Sequence, residues 1–275
     1  MSGAADPGAA EGAMLAGMSG ESNLLNEERR RAILAMVRRD GRVLVNTIAE
    51  RFDVSPVTAR NDLLALHKRG LVQRVHGGAI SIGFTAADPA LRQKAALHGR
   101  EKAAIAQAAA KLVQAGETIV LDSGSTTMEI AKQLRKIAPL TVVTNAVNIA
   151  ETLAGSEVEV VLTGGTLREN SFSLVGPLAE ETLAQLNADR LFLGVDGIDT
   201  LRGVTTPNLL EAKVNRVMIS IAREVVVVSD SSKFGRRSLC HIAPLRALHR
   251  LITDRGIPPA DLKRLREAGV EVTLV

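Results

Sequence analysis

The chain has 275 residues, 46% of them apolar and 23% charged, with a formal net charge of +4, one cysteine, no tryptophan and no tyrosine. That balance excludes wholesale disorder, the single Cys240 excludes an intrachain disulfide, and no apolar run approaches the roughly 20 residues of a membrane-spanning helix. The five histidines (His67, His76, His98, His241, His249) show no metal-ligand spacing, so neither a metal nor a cofactor is expected. Such cysteine usage fits a reducing cytoplasm. The charge is uneven: between Asn26 and Gly83 eleven Lys/Arg face six Asp/Glu, a net of +5, so the remainder sums to −1. A small basic module joined to a near-neutral one points to a polyanion as the partner of the first.

Residues 1–24 lack a basic n-region and a continuous apolar core, and read as a disordered tail rather than a secretory signal. From Asn26 to Val37, "NEERRRAILAMV" has a capping Asn26, acidic residues in its first turn and an apolar stripe of Ile33, Leu34 and Val37, which predicts a helix ended by Gly41. "VNTIAERF" predicts a second, with Asn46 as cap and Ile48, Ala49 and Phe52 turned inward. A third follows from Pro56 to about Arg69: Ser55 suits the N-cap, Pro56 the first helical position, and Gly70 stops it. "LVQRVHGGAIS" alternates around Gly77-Gly78 as a short hairpin does. Three helices with a tight turn before the third, then a hairpin, make a winged helix-turn-helix over 25–82.

In that geometry the third helix enters the major groove with its N-terminal residues at the base edges. Ala59, Leu63 and Leu66 fall on the inner side, leaving Val57, Thr58, Arg60 and Asn61 outward. Arg60 suits guanine or a phosphate and Asn61 suits adenine. Arg74, His76 and Gly77 suit phosphate contact by the wing. With Thr47 and Ser55 they complete the candidate DNA-binding set. Without Trp or Tyr the chain offers few stacking platforms, which favours double-stranded DNA over single strands.

Residues 83–92 read as a linker, and over 93–275 the period changes. Apolar, β-branched runs ("TIVLDSG", "LTVVTN", "VEVVLTGG", "RLFLGVDG", "EVVVVSD", "HRLITD", "VEVTLV") alternate with helical stretches, which predicts a mostly parallel sheet covered on both faces. The fold class is therefore α/β with an N-terminal winged helix-turn-helix. "LDSGSTTMEIAKQL" is a strand, a turn and a helix start; its backbone amides and the hydroxyls of Ser123, Ser125, Thr126 and Thr127 can cradle a phosphate, with Asp122 and Gly124 in the same turn. It is neither a Walker loop nor a Rossmann fingerprint. Other polar clusters end predicted strands: Thr144-Asn145, Gly164-Gly165 with Arg168 and Ser171, Asp196-Gly197, and "SDSSKFG" with Asp230 and Lys233. Ligands collect outside the carboxyl ends of strands in open α/β sheets. Glu211 and Asn215, four apart, share a helix face and can point into the same place.

"VSPVTARNDL" and "RVHGGA" closely resemble the VS-x-x-TIRRDL and RxHGGA of the DeoR family of bacterial transcriptional regulators, with Ala59 for isoleucine and Asn61 for the second arginine. The resemblance extends over nearly the whole chain after the tail. Asp122 to Thr127, Thr144-Asn145, Gly164 to Arg168, Gly194 to Asp199 and Asp230 to Gly235 match the family's effector domain, whose fold is similar to ribose-5-phosphate isomerase and glucosamine-6-phosphate deaminase. The family's E-A-x-x-K helix is matched at Glu211 and Ala212, but Asn215 stands where lysine is common, leaving Lys213 or Lys233 as the cation in its place. The resemblance implies a phosphorylated sugar as effector, double-stranded operator DNA as partner, and a homo-oligomer, dimer or tetramer. Within the family, "TARNDL", "EAKVNRVM" and the ending "GIPPADLKRLREAGVEVTLV" are most similar to regulators of N-acetylgalactosamine use, which implies an amino-sugar phosphate and repression of a catabolic operon relieved by it.

The alternative is a sugar-phosphate isomerase or deaminase with an appended helix-turn-helix. Glu211 or Asp196 could supply the base for aldose–ketose isomerisation. The loop "DTLRGVTTPNLLE" has no lysine where the similar isomerase carries one, so the electrophile is missing and no enzyme is expected.

Overall fold

The computed structural model describes residues 26–37, 42–69, 71–75, 77–81, 84–85 and 88–275. The expected tail at 1–24 and the helix stops at Gly41 and Gly70 lie outside the described residues. Two compact units meet in the chain between Phe84 and Thr85.

In the first unit, helix α1 (26–37) precedes strand β1 (Arg42–Leu44), helices α2 (Val45–Phe52) and α3 (Pro56–Lys68), and the hairpin β2 (Val72–Val75) and β3 (Gly78–Ser81). The three strands form an antiparallel sheet in the order β1-β3-β2. β1 is an addition to the sequence reading; three residues are too few to show a period. The chain passes from β1 directly into α2, so Leu44 occupies the cap position without a side-chain bond, and Asn46 lies inside the first turn rather than capping it. Ile33 and Val37 of α1, Ile48 of α2, and Ala59, Leu63 and Leu66 of α3 close over Val72 and Ala79 as one apolar core. Asp62 is buried beside that core, where its carboxylate accepts from Arg29 Nε at 2.6 Å and Arg30 Nε at 2.9 Å, tying α1 to α3.

In the second unit, strand β4 (Phe84–Thr85) lies at the division. Then come α4 (Leu91–Ala95), α5 (Gly99–Ala110), β5 (Thr118–Leu121), α6 (Ser125–Leu134), β6 (Thr141–Thr144), α7 (Val147–Leu153) and β7 (Glu159–Leu162). The hairpin β8 (Thr166–Arg168) and β9 (Ser173–Val175) leads to α8 (Pro177–Ala184), β10 (Ala188–Leu193), the hairpin β11 (Gly197–Asp199) and β12 (Gly203–Thr206), α9 (Leu209–Ile221) and β13 (Ala222–Val228). β14 (Arg237–Ser238), β15 (Cys240–Ala243), β16 (Arg250–Thr253), α10 (Pro259–Glu267) and β17 (Glu271–Leu274) complete it. The seven strands predicted from β-branched runs make one seven-stranded sheet, β17-β16-β13-β10-β5-β6-β7, with every neighbour parallel.

Alternation along these strands divides the core in two. Val120, Leu191, Leu193, Val225, Val227 and Leu251 pack with α8, α9 and the small sheet β11-β12-β15. Ile119, Leu121, Phe192, Val226, Val228 and Ile252 pack with α5, α6 and α7 on the other face. Both faces are covered, as an all-parallel sheet requires. From β5 the chain builds outward through β6 and β7, then crosses back to β10 and builds the other way. The β5/β10 boundary is therefore the topological switch point, where a crevice opens beyond the strand ends.

The expected linker at 83–92 is not spacer throughout. Asp88 and Leu91 are bonded to the segment around Arg168 and Asn170, and Leu91 begins α4 as a buried residue.

Candidate functional site

On α3 the local chemistry is that of an exposed helix start. Ser55 Oγ accepts from Thr58 N–H at 3.1 Å and lies 2.9 Å from Thr58 Oγ1, so these two hydroxyls are engaged in the cap. Val57 is 62% exposed on the first turn, followed by exposed Arg60 and Asn61, and Thr47 is exposed on α2. Arg74 is exposed on β2. Gly77 turns the hairpin at φ +79°, and a Cβ on Gly78 would stand 2.1 Å from the Val43 carbonyl oxygen, so β1 and β3 approach closely only because a glycine is there. His76 lies outside the described residues.

A polar cleft opens at the switch point of the second unit. The turn after β5 contributes Asp122 to Ser125, the end of β10 contributes Gly194 to Asp196, α9 contributes Glu211 and Asn215, and the end of β13 contributes Ser229 and Asp230. Lys233 follows on a single 3-10 turn, and Lys94 and Lys102 enter from α4 and α5. α6 begins at Ser125 with no acidic residue in its first turn, so its free amides and dipole present positive potential to the cleft.

Each charged group has a defined neighbour. Asp122 is buried: Oδ1 accepts from Asn215 Nδ2 at 2.8 Å and Oδ2 from Gly194 N–H at 3.2 Å. Burial, reinforced by the Glu211 charge, pushes its pKa to about 8, against the pull of the Asn215, Ser123 and Gly194 donors. Asp122 is therefore largely protonated at neutral pH. Glu211 Oε1 accepts from Arg168 Nη1 at 3.0 Å and Ser173 Oγ at 3.2 Å, and Oε2 from Thr206 Oγ1 at 3.4 Å. Asp196 pairs with Lys94 Nζ at 2.7 Å. Burial lowers the pKa of Lys233, opposed by Asp196 and Asp230, and that of Lys102, opposed chiefly by Asp230. Lys102 Nζ donates to the backbone carbonyls of Lys94 and Leu97.

Of the residues singled out by sequence, Asp122, Ser123, Gly124, Ser125, Thr126, Asp196, Glu211 and Lys233 line this one cleft. Arg168 stands behind it, bonded to Glu211 and Ser171. Four others do not line it. Thr127 Oγ1 donates to Gly124 O, closing the helix start. Thr144 Oγ1 donates to Leu121 O and accepts from Ala146 N–H. Asn145 Nδ2 donates to Leu174 O, tying β6 to β9. Gly165, at φ +116°, allows the backbone to pass Val175, whose carbonyl oxygen would be 2.8 Å from an added Cβ. Thr127 and Thr144 are turned to backbone carbonyls, and Asn145 gives its Nδ2 to Leu174 O while its Oδ1 stays buried without a partner.

Sequence reasoning missed Lys94, Lys102 and Thr206. The two lysines belong to no motif, and only the reversal of the chain at His98, in the left-handed region at φ +55°, brings α4 and α5 to the same cleft. Among the described residues no cluster of three or more His, Cys, Asp or Glu is arranged to hold a metal ion. Nor is any helix among them long and apolar enough to cross a membrane.

Residues 97–255 match the DeoR C terminal sensor domain, and residues 29–84 match the DeoR-like helix-turn-helix domain. A protein of Escherichia coli O157:H7 named "Putative aga operon transcriptional repressor" is 44% identical over 94% of this chain and 97% of its own. The HTH-type transcriptional regulator GlpR of Haloferax volcanii is 38% identical over 90% of this chain and 98% of its own. The transcriptional repressor AccR of Agrobacterium fabrum is 36% identical over 84% and 90%. Among solved structures, ribose 5-phosphate isomerase A of Methanocaldococcus jannaschii aligns over 48% of this chain and 53% of its own with a TM-score of 0.37 and 20% identity.

Proposed function

The chain belongs to the DeoR family of helix-turn-helix transcriptional regulators, and from that premise we propose that it represses a carbohydrate operon and is released by a phosphorylated sugar bound at the switch-point cleft. The observation that carries this reading is the mixture of charges in one place. The α6 N-terminus and Lys94, Lys102 and Lys233 suit a phosphate, while Asp196, Glu211 and Asp230 suit hydroxyl or amine groups. Protonation of Asp122 removes one negative charge that would otherwise oppose a phosphate dianion.

The carboxylates beside the α6 turn favour a sugar with several donors, and an amino-sugar phosphate offers one more cation to them. The similarity to the E. coli protein named for the aga operon supports the same class. The ligand is bound and not converted: the segment from Asp199 to Glu211 holds no lysine to polarise a carbonyl. On DNA, the exposed start of α3 reads base edges and Arg74 on the wing meets phosphate. Pairing of two chains matches two recognition helices to two half-sites. A coupling of about 1–3 kcal/mol between effector and operator changes operator affinity roughly 5- to 150-fold.

The test is binding of the full chain to the DNA upstream of its own gene neighbourhood, with and without a panel of hexose and hexosamine phosphates, followed by product analysis. Specific, salt-sensitive binding released by one phosphate, which is recovered unchanged, is expected. Binding indifferent to the whole panel sinks the sensor reading; sustained conversion of a sugar phosphate replaces it with the enzyme.

A further inference from the structure

The cleft is held together with a segment that leads back toward the DNA-binding unit. Only residues 85–87 separate Asp88 from the end of the first unit. Asp88 pairs through its carboxylate with Arg168, and its carbonyl oxygen accepts from Asn170 Nδ2 at 2.7 Å. Leu91 N–H donates to Asn170 O at 2.8 Å, and the Leu91 side chain lines the cleft. Lys94 Nζ reaches Asp196 at 2.7 Å, and Lys102 Nζ gathers the carbonyls of Lys94 and Leu97 at the end of α4.

The charged groups that dock this segment also face, or stand directly behind, the cleft. Arg168 divides its guanidinium between Asp88 and Glu211. Lys94 has side-chain exposure of 18% and Asp196 of 16%, so their pair is largely withdrawn from solvent and its partners are not readily replaced by water. A simple spacer has no physical reason to commit an aspartate and a lysine to such places.

We propose that residues 88–97 are a strap whose docking is set by the effector. The phosphate takes Lys94 from Asp196, leaving Lys233 beside that carboxylate, and the strap loosens. No bond is made or broken; ion pairs are exchanged. The docked strap corresponds to the operator-binding form and the loosened strap to the released form. A ligand can shift such an equilibrium only through contacts that differ between the two states, and the Lys94 ammonium is such a contact. The inference rests on the cleft being the phosphorylated-sugar site.

The test uses the full chain, with galactosamine 6-phosphate and glucosamine 6-phosphate as ligands and inorganic phosphate as the bare-anion probe. Calorimetry measures ligand binding, fluorescence anisotropy measures operator binding, and amide exchange follows residues 91–97 with α7 as reference. Asp88→Asn and Asn170→Ala undock the strap without altering a group that lines the cleft. Both variants are expected to bind sugar phosphate at least as tightly as the unaltered chain, because the opening of the strap no longer opposes it, and to bind operator as weakly as that chain does when saturated with ligand. The ligand then has no further effect on them, whereas it lowers the unaltered chain's operator affinity at least about fivefold. Saturating ligand is also expected to speed exchange at 91–97 in the unaltered chain and leave α7 unchanged.

Two failures are distinguishable. If the unaltered chain binds none of the probes saturably, the cleft reading falls and the strap falls with it. If it binds and releases DNA, yet both variants respond normally, the strap alone is refuted. Unchanged exchange at 91–97 on saturation refutes it equally, even should the variants fail to fold.

Discussion

Substituting Asp122 by asparagine isolates the proton that the cleft holds. With a pKa of about 8, Asp122 is protonated in roughly nine chains of ten at pH 7 and in about one of ten at pH 9. If only the neutral form admits a phosphate dianion, sugar-phosphate affinity falls about tenfold across that interval. The ligand's own second ionisation, near pKa 6, is about nine-tenths complete at pH 7 and changes little above it. Lys102 and Lys233, whose pKa values burial lowers, lose charge in the same direction as pH rises. The variant separates the two sources, because any slope that survives in Asp122→Asn belongs to the lysines. An amide fits the site. The oxygen of the introduced side chain accepts from Gly194 N–H, and Asn215, its amide turned over, presents its own oxygen to the introduced NH₂ group.

Calorimetric titration of both proteins from pH 6.5 to 9.5 is the assay, and parallel profiles in the two refute the argument. Stability carries the same sign. A carboxyl whose folded pKa lies above its ordinary value of 3.8 contributes stability that is full below that value and lost as pH rises through 8. At pH 7 the loss is roughly 4 kcal/mol, and Asp122→Asn is expected to recover part of it in chemical denaturation.

Arg60→Ala is expected to weaken specific operator binding by about 1–3 kcal/mol, whereas Arg74→Ala weakens specific and non-specific binding alike and reduces the salt slope by about one; unchanged affinity in both overturns the docking of α3 and wing. Leu63→Ala empties a position 1% exposed in the core of the first unit and should cost about 2–5 kcal/mol in denaturant unfolding. Gly165→Ala brings a Cβ to 2.8 Å from the Val175 carbonyl oxygen at φ +116°, so it should destabilise by about 1–3 kcal/mol or more while leaving sugar-phosphate affinity of the folded protein unchanged. A direct loss of affinity there would restore Gly165 to the site. Asn215→Lys places an ammonium beside Asp122, ionising it at neutral pH, and the alkaline fall in effector affinity due to Asp122 should disappear from the calorimetric profile.

The central sheet was legible because its strands carry short apolar, mostly β-branched runs, continuous where the strand is buried on both faces as in β5, β6 and β13, and shorter in β10 (ADRLFL) and at the edges β7 and β17. β1, β8, β9, β11, β12, β14 and β15 have two to four residues each, are held by hairpin or edge pairing, and carry no such run. The cleft was legible where a polar residue follows a strand of the central sheet, as Asp122 follows β5 at once and Asp196 follows β10 within three residues, or shares a helix face, as with Glu211 and Asn215. Thr144 and Asn145 show the limit of that rule. They end β6 in the same way, but their side chains bond to Leu121 O and Leu174 O. Lys94 and Lys102 show the converse. They reach the cleft only through the turn between two short helices, and eight residues of separation along the chain says nothing about that geometry.

The position of Asn215 connects these threads. A lysine there would neutralise Asp122 by charge; asparagine only donates one hydrogen bond to it, and burial then wins, so the group is neutralised by a proton instead. Either solution leaves the cleft ready for an anion, but they differ in what the remaining cations are free to do. Lys94, which also lines the cleft, pairs with Asp196. In the proposed switch that pair must be strong enough to dock α4 and weak enough to yield to a phosphate dianion. A switch needs this intermediate strength. A ligand moves such an equilibrium only by the difference in its own affinity for the two forms, and a coupling of about 1–3 kcal/mol asks that much of the Lys94 contact, which the ligand gains only as the Asp196 pair and the docked strap are given up.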